Sequence, residues 1–538
     1  MTTSHEDNRA DSSSPVSGAD GLQVAYRPLS NSGKPAAQRM KRTQVSRACA
    51  RCRRLQKGCS EVRPCQRCVK TGLAEQCLAS GIAPPLQPPA REHQQHYDAY
   101  MIGTPGSITS PSLSSLDLPI TPQAFTSFAR ESFQRQIDLL PAAVIDHCTE
   151  RFFARLRPTI PILTPEYVAT LRRSVAEASE ASNEAYCVLL GMCTMVLLQV
   201  EPPESRPVGS GDRIVAKTNA KYGWILLDEA LAAHRHLSRQ SNPIFEHVLF
   251  NFFLYACHAA LFHHSQAFFF LRETTTLCML LKIEMLPDLT RVLAERLFWV
   301  LVASERSHAI RYKRPITLQI TASSPSFMPS STSPVNSALE TSELAGFWCL
   351  AALFQPLDTS FIAILNAETL SCPPSSSALD GIESSVNAAL HYSPSPPSTL
   401  HQTQKANLRV TQLWLRIILW QVRLRLGQLF EAPPGSAASS HTYHYPLVVA
   451  KDLAMSTRDL ELASMNVHGV GLTEKLFDIA CVVINVLARV PVGIMRAAAE
   501  EDVRYLRGLI RELPGGKTVY ERLLVKHLVA VLPGMVRG

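Results

Sequence analysis

Apolar residues are sparse and without period over the first 125 or so positions, and from about position 126 they recur at helical spacing almost to the end. Val144, Ile145, Cys148, Phe152, Phe153 and Leu156 fall on one helical face, and Pro158 stops the run. The stretch Glu184 to Gln199 is apolar nearly all round, which predicts a helix buried on several sides. Ile244 to Phe262 and Ala267 to Leu281 predict a helical pair joined near His263, His264 and Ser265, and Leu289 to Arg311 predicts a further helix ended by Lys313, Arg314 and Pro315. A short piece, Leu339 to Leu353, lies between two low-complexity insertions at 321–337 and 371–399. A long helix follows from about Gln404 to Phe430 and breaks at Pro433 and Pro434. On it Arg409, Arg416 and Arg423 recur every seven residues and share one face, which reads as a solvated stripe with a partner or effector contact as the alternative. Amphipathic helices close the chain, with Val503, Leu506, Leu509, Ile510 and Leu513 on one face and then Tyr520 to Leu532. Strand alternation is scarce, so the expected body over 126–538 is all-α.

The polar segments separate the parts. Residues 1–44 read as a disordered tail, and 81–125 as a Pro/Ser-rich linker in which Pro84, Pro85, Pro88 and Pro89 forbid a long helix. No heptad follows position 77, so no coiled coil is evident to pair two copies, and a homodimer is left open. The longest apolar runs fall short of the roughly 20 residues that span a bilayer, so no membrane partner is expected.

Charge changes the picture in one place. The 538-residue chain carries a formal +8, yet the segment from Lys34 to Lys70 alone holds twelve basic residues and a single acid, Glu61. A strongly positive segment on a nearly neutral body is the footprint of a polyanion-binding module. Arg39, Lys41 and Arg42 lie in its leading basic run, a nuclear-import candidate.

Within that segment Cys49, Cys52, Cys59, Cys65, Cys68 and Cys77 form two similar halves, each with a C-x-x-C step. Thiolates are soft ligands suited to zinc, which takes four of them in a tetrahedron. Two zinc ions need eight ligand positions, and six thiolates fill eight only if two of them bridge both metals. Cys49 and Cys65, each opening a half, are the expected bridging pair. A centre closed by sulfur keeps no position for water, so its role is to fold about 30 residues that are too few to build a core unaided. The other eight cysteines read as small core hydrophobes.

The spacing C-x2-C-x6-C-x5-C-x2-C-x8-C, with a basic loop and with Arg63-Pro64 before the fourth cysteine, resembles the fungal zinc binuclear cluster (Zn2Cys6) transcription factors. The resemblance implies two Zn2+ ions, bridging by Cys49 and Cys65, and docking in the major groove of double-stranded DNA at a CGG-like half-site. It implies that the basic loop, with Arg53, Arg54, Gln56 and Lys57, faces the bases while the remaining basic residues, Arg47, Arg51, Arg63 and Arg67, grip phosphate. The family usually carries lysine where this chain has Gln56, and a basic residue where it has Gly58. Glutamine prefers adenine N6 and N7 over guanine O6 and N7, so an altered triplet is expected. More weakly, residues 150–163, 251–284, 295–318 and 408–421 resemble the helical middle region of these factors, in the versions seen in sugar-utilisation and secondary-metabolite regulators. That likeness implies a regulatory body open to a small-molecule effector.

The expected architecture is therefore a metal-stabilised Zn2Cys6 module at 45–80 and a large all-α regulatory domain at 126–538, joined by disordered linkers. The expected function is a nuclear, sequence-specific regulator of RNA polymerase II transcription, by default an activator of a metabolic or secondary-metabolite gene cluster. The competing classes are a helical metabolite-binding enzyme and a corepressor-like interaction protein with an accessory zinc module. Against the enzyme, the chain has no H-E-x-x-H, G-x-S-x-G, G-x-G-x-x-G or G-x4-G-K-[ST] motif. His234, His236, His263 and His264 read as surface and loop histidines, and Glu305-Arg306 as a structural ion pair.

Overall fold

The computed structural model describes residues 66–71, 136–177, 182–207, 217–237, 243–327, 343–366, 374–391, 400–431, 439–489 and 494–536. The chain divides into two units, 1–124 and 125–538. In the first, the described residues form one short helix, α1 (Gln66–Lys70), and the turn at Thr71. The expectations for the tail at 1–44 and the linker at 81–125 lie outside the described residues.

In the second unit the described residues form sixteen α-helices and no strand; one isolated bridge joins Phe430 and Thr442. Two hydrophobic cores organise them. The first is built on α2 (Ala142–Arg151), α3 (Pro165–Ala176), α4 (Ser182–Met195), α5 (Asn219–His236), α6 (Phe245–Ala260) and α7 (His264–Leu280). As its composition predicts, α4 is buried on nearly every side, packed by α3, α5 and α6. With the wide turn Val196–Val200 it makes a helix long and apolar enough to cross a membrane, but 72% of that span is buried inside the protein. Local signals set the ends. Thr164 caps α3 by accepting from Tyr167 N at 3.2 Å, with Pro165 at the first helical position. The joint between α6 and α7 turns at Phe262, whose φ is 60°.

Helix α8 (Asp288–Tyr312) belongs to both cores. Leu293, Leu297 and Leu301 pack in the first, while Ala309 and Ile310 pack in the second. It ends where Lys313 adopts a left-handed conformation. Helix α9 (Ala345–Phe354) is shared likewise. The second core then gathers α10 (Thr359–Leu365), α11 (Ser376–Ala388), α12 (Gln402–Arg425), α13 (Tyr445–Arg458), α14 (Leu462–Asn466), α15 (Val470–Leu487), α16 (Ile494–Glu512) and α17 (Glu521–Val531). Helix α12 runs through its centre against α9, α11, α13 and α15.

Three expectations change here. The segment 371–399 is not all low-complexity interruption, because Ser375 caps α11 and Leu379, Ile382 and Val386 give it an apolar face. The arginines of α12 are not one solvated stripe. Arg409 is exposed, but Arg416 donates to Tyr445 Oη at 2.7 Å, and Arg423 is fully buried against Asp380 (2.8 Å) and Glu383 (2.7 Å). Glu305 and Arg306 do not pair with each other, since consecutive helical residues point apart. Glu305 takes Arg272 Nη1 at 2.8 Å and the amides of Thr317 and Leu318, while Arg306 Nε donates to Leu357 O at 2.7 Å.

Candidate functional site

Of the residues expected to hold metal or touch DNA, Cys68 and Arg67 lie on α1. Cys49, Cys52, Cys59, Cys65, Cys77, Arg39, Lys41, Arg42, Arg47, Arg51, Arg53, Arg54, Gln56, Lys57 and Arg63 lie outside the described residues. On α1 the Cys68 thiol is fully buried, while Arg67 and Lys70 are exposed. Thr71 closes the turn by donating Oγ1 to Arg67 O at 3.1 Å and Cys68 O at 3.2 Å. One turn thus puts sulfur inward and positive charge outward. Among the described residues no group of three or more His, Cys, Asp or Glu is placed to hold a metal ion.

The helical unit carries a second site. Where the two cores meet, a cavity of about 200 Å³ is lined from six helices. Met195, Phe252, Ala256 and Ala260 make one wall, from α4 and α6, and Trp414 of α12 adds to the lining. His264 of α7 and Ser304, Ser307, His308, Arg311 and Tyr312 of α8 bring polar groups. The turn at His468 and Gly469 and the start of α15, with Glu474 and Lys475, complete it. Small residues make the space: alanines on α6, serines on α8, and Gly469 and Gly471 at the start of α15.

Charges in this cavity are mostly paired. Arg311 Nε lies 2.9 Å from Glu474 Oε2, and its Nη1 meets Asp478. Tyr312 and Tyr520 both donate to Glu474 Oε1, at 2.8 and 2.5 Å, and Trp414 Nε1 donates to Asp478 at 3.1 Å. Burial works against the Arg311 charge, but Asp478 and Glu474 outweigh it and hold the guanidinium ionised. Glu474 is pushed up by burial and pulled down by Arg311 and its hydroxyl donors, ending below the ordinary carboxylate value. Asp478 ends above it, because burial prevails there over Arg311. Burial also lowers Lys475 to about 8 and His308 and His468 to about 4. His468 Nε2 donates to Thr403 O at 2.8 Å, which fixes its tautomer.

The histidines read as surface residues divide. His236 is exposed, whereas His234 meets Glu273 at 3.0 Å, His263 meets His258 at 3.2 Å, and His264 lines the cavity against the Tyr312 ring. Seven of the eight remaining cysteines are buried, as expected of small hydrophobes, and burial pushes thiols such as Cys278 up to about 12; Cys372 lies outside the described residues. Lys475, Glu474, Asp478, His308 and His468 escaped the sequence reading. The one local signal was the run His468-Gly469-Val470-Gly471 ahead of an amphipathic stretch.

No family model matches the chain. A stretch of 38 residues is 53% identical to a protein described as "Transcription activator of gluconeogenesis ERT1" from Mycosarcoma maydis. The match takes in 7% of this chain and 5% of that relative's own length. Over this short segment the chain is similar to a fungal transcription activator, a protein not named as an enzyme.

Proposed function

We propose that the chain is a zinc-dependent, sequence-specific DNA-binding regulator of RNA polymerase II transcription, acting in the nucleus and activating genes of metabolism. The observation that carries this reading is the spacing of Cys49, Cys52, Cys59, Cys65, Cys68 and Cys77 within the most basic segment of the chain. Six thiolates, with Cys49 and Cys65 bridging, would hold two Zn2+ ions and supply the folding energy that so short a module lacks. Two further observations support it. The Cys68 thiol points inward between exposed Arg67 and Lys70, and a short stretch of the chain resembles a named transcription activator. In this reading Arg53, Arg54, Gln56 and Lys57 approach the base edges, while Arg47, Arg51, Arg63 and Arg67 hold phosphate.

Zinc analysis of the purified full-length protein and selection from randomised duplex DNA test the proposal. The expected outcome is about two zinc ions per chain and one enriched motif, with affinity falling steeply as salt rises. Cys49→Ser and Cys65→Ser should each abolish both zinc loading and selection. A metal-free protein, or a Cys49→Ser variant that selects the same motif, overturns it. The selected triplet should depart from CGG at the base that Gln56 faces, and Gln56→Lys should shift it toward guanine. An ordinary CGG repeat selected by the unaltered protein would refute that last part alone.

A further inference from the structure

The cavity between the two cores has three features that DNA binding does not use. The first is a cation without a direct ion pair. Arg311 is held by both Glu474 and Asp478, whereas Lys475 makes no ion pair among the described residues. The Lys475 ammonium donates to Thr411 Oγ1 at 2.8 Å and lies 5.6 and 5.9 Å from the Trp414 and Phe354 ring centroids. An ammonium has three donors, so its hydrogen-bonding capacity exceeds its partners.

The second feature is the start of α15. Gly469, with φ 60° and ψ −152°, occupies a region essentially closed to other residues, and it has no side chain to cap the helix. Gly469, Val470 and Gly471 line the cavity, so the uncapped first turn of an 18-residue helix begins at its wall. The third is His308, 6% exposed, which lines the same cavity and whose Nε2 has no hydrogen-bond partner. A buried ring nitrogen without a partner in a polar cavity marks a position that a bound group would complete.

We infer that this cavity binds a small monocarboxylic acid, its carboxylate seated between Lys475 and the N-terminus of α15, its apolar body against Met195, Phe252 and Ala256. A cationic ligand would meet Lys475 with like charge, the Arg311 charge being already held by Glu474 and Asp478. A wholly apolar ligand would leave His308 Nε2 buried and unpaired and would offer nothing to the spare donors of the half-buried Lys475. A carboxylate supplies charged acceptors for the spare Lys475 donors, and it would offset the burial that lowers Lys475 to about 8 against the opposing pull of Glu474. Such a ligand would touch α4 and α6 of the first core and α15 of the second, so binding would brace the junction from both sides. That gives the helical body a physical route to metabolite-dependent regulation. The inference does not depend on the zinc module, because its test involves no DNA.

The test is thermal denaturation and calorimetric titration of the full-length protein. The probes are a chain-length series of aliphatic and phenyl-substituted monocarboxylates, each beside the alcohol of the same skeleton. The expected result is that at least one acid raises the melting temperature and binds about ten-fold or more tightly than its alcohol, the discrimination of one charge-assisted hydrogen bond. Lys475→Met should erase the preference and Lys475→Arg retain it. Ser307→Leu, which fills the space from α8, should abolish binding of acid and alcohol alike. If Lys475→Met does not fold, Lys475→Gln, which can still bond Thr411, gives the same reading. Absence of binding across the series, equal binding of acids and alcohols, or a folded Lys475 variant that keeps the preference would each overturn the inference.

Discussion

Arg423 shows what one residue on a helix can conceal. Its seven-residue interval from Arg416 says only that the two share a face; it does not say what that face meets. In the fold it meets α11, where Asp380 and Glu383 stand one turn apart and receive Nη2 and Nη1. Glu383 is itself buried, so removing the guanidinium leaves a carboxylate in the core without a counter-ion. Arg423→Leu should therefore lower stability by roughly 3 kcal/mol or more in a urea titration, and adding Glu383→Leu should recover much of that loss. A single variant indistinguishable from the parent would mean that water reaches this pair. Arg409, exposed on the same helix, should tolerate alanine within about 0.5 kcal/mol.

At the scale of elements, most helices were legible because their apolar period is local. The predicted runs over 144–156, 184–199, 244–262, 267–281 and 289–311 coincide closely with helical segments of the first core, and Pro158 and Lys313 mark ends where breakers were expected. The six-cysteine spacing was legible for a similar reason, since ligand spacing is a property of one short stretch. The cavity was not, because it is assembled from residues between positions 160 and 475 and carries no motif. Nor was the tie made by Gln404, three residues into the α12 capping box with His401. Its Nε2 donates to Pro158 O at 3.0 Å and Glu343 O at 2.8 Å, pinning α12 to the residues just ahead of α9 and to the loop after α2. Gly346 of α9 lies against that side chain, where a Cβ would come within 2.5 Å of Gln404 Cδ. Gly346→Ala should thus lose more at the tie than it gains in helix propensity, a net cost on the order of 1–3 kcal/mol. Gly508 of α16 is the control: it is exposed, nothing stands within 4 Å of its Cβ position, and alanine there should stabilise by roughly 0.5–1 kcal/mol. Equal effects at the two glycines in thermal melts would refute the argument from Gln404.

Across the whole molecule, the helical unit buries histidines where its cores meet, and that ties its stability to pH. His258 stacks on Phe270 and shares a hydrogen bond with His263. His308 stacks on Phe268, faces Tyr255, Tyr312 and His264, and feels Glu474 and Arg314. His468 lies between Thr403 O and Lys475. Burial lowers all three from the ordinary 6.5 to about 4. The sign follows from which state binds the proton. Below pH 6.5 the unfolded chain takes up protons that the folded chain refuses until about pH 4, so stability is complete above 6.5 and is lost progressively as pH falls through that window. Each histidine contributes a slope of about 1.4 kcal/mol per pH unit near the middle of the window, and three together make acid loss steep well above the range where carboxylates titrate. Urea midpoints measured from pH 7.5 down to 4.5 should trace this fall. These three histidines should contribute close to three of the protons taken up on unfolding near pH 5, beside the smaller share of His247 and His527, which burial also lowers. His308→Phe, which keeps the stack on Phe268 and removes the titrating nitrogen, should reduce the uptake by about one proton. A slope unchanged by that substitution would show that His308 is protonated in the folded protein, and the neutral ring assigned to it in the cavity would then be wrong.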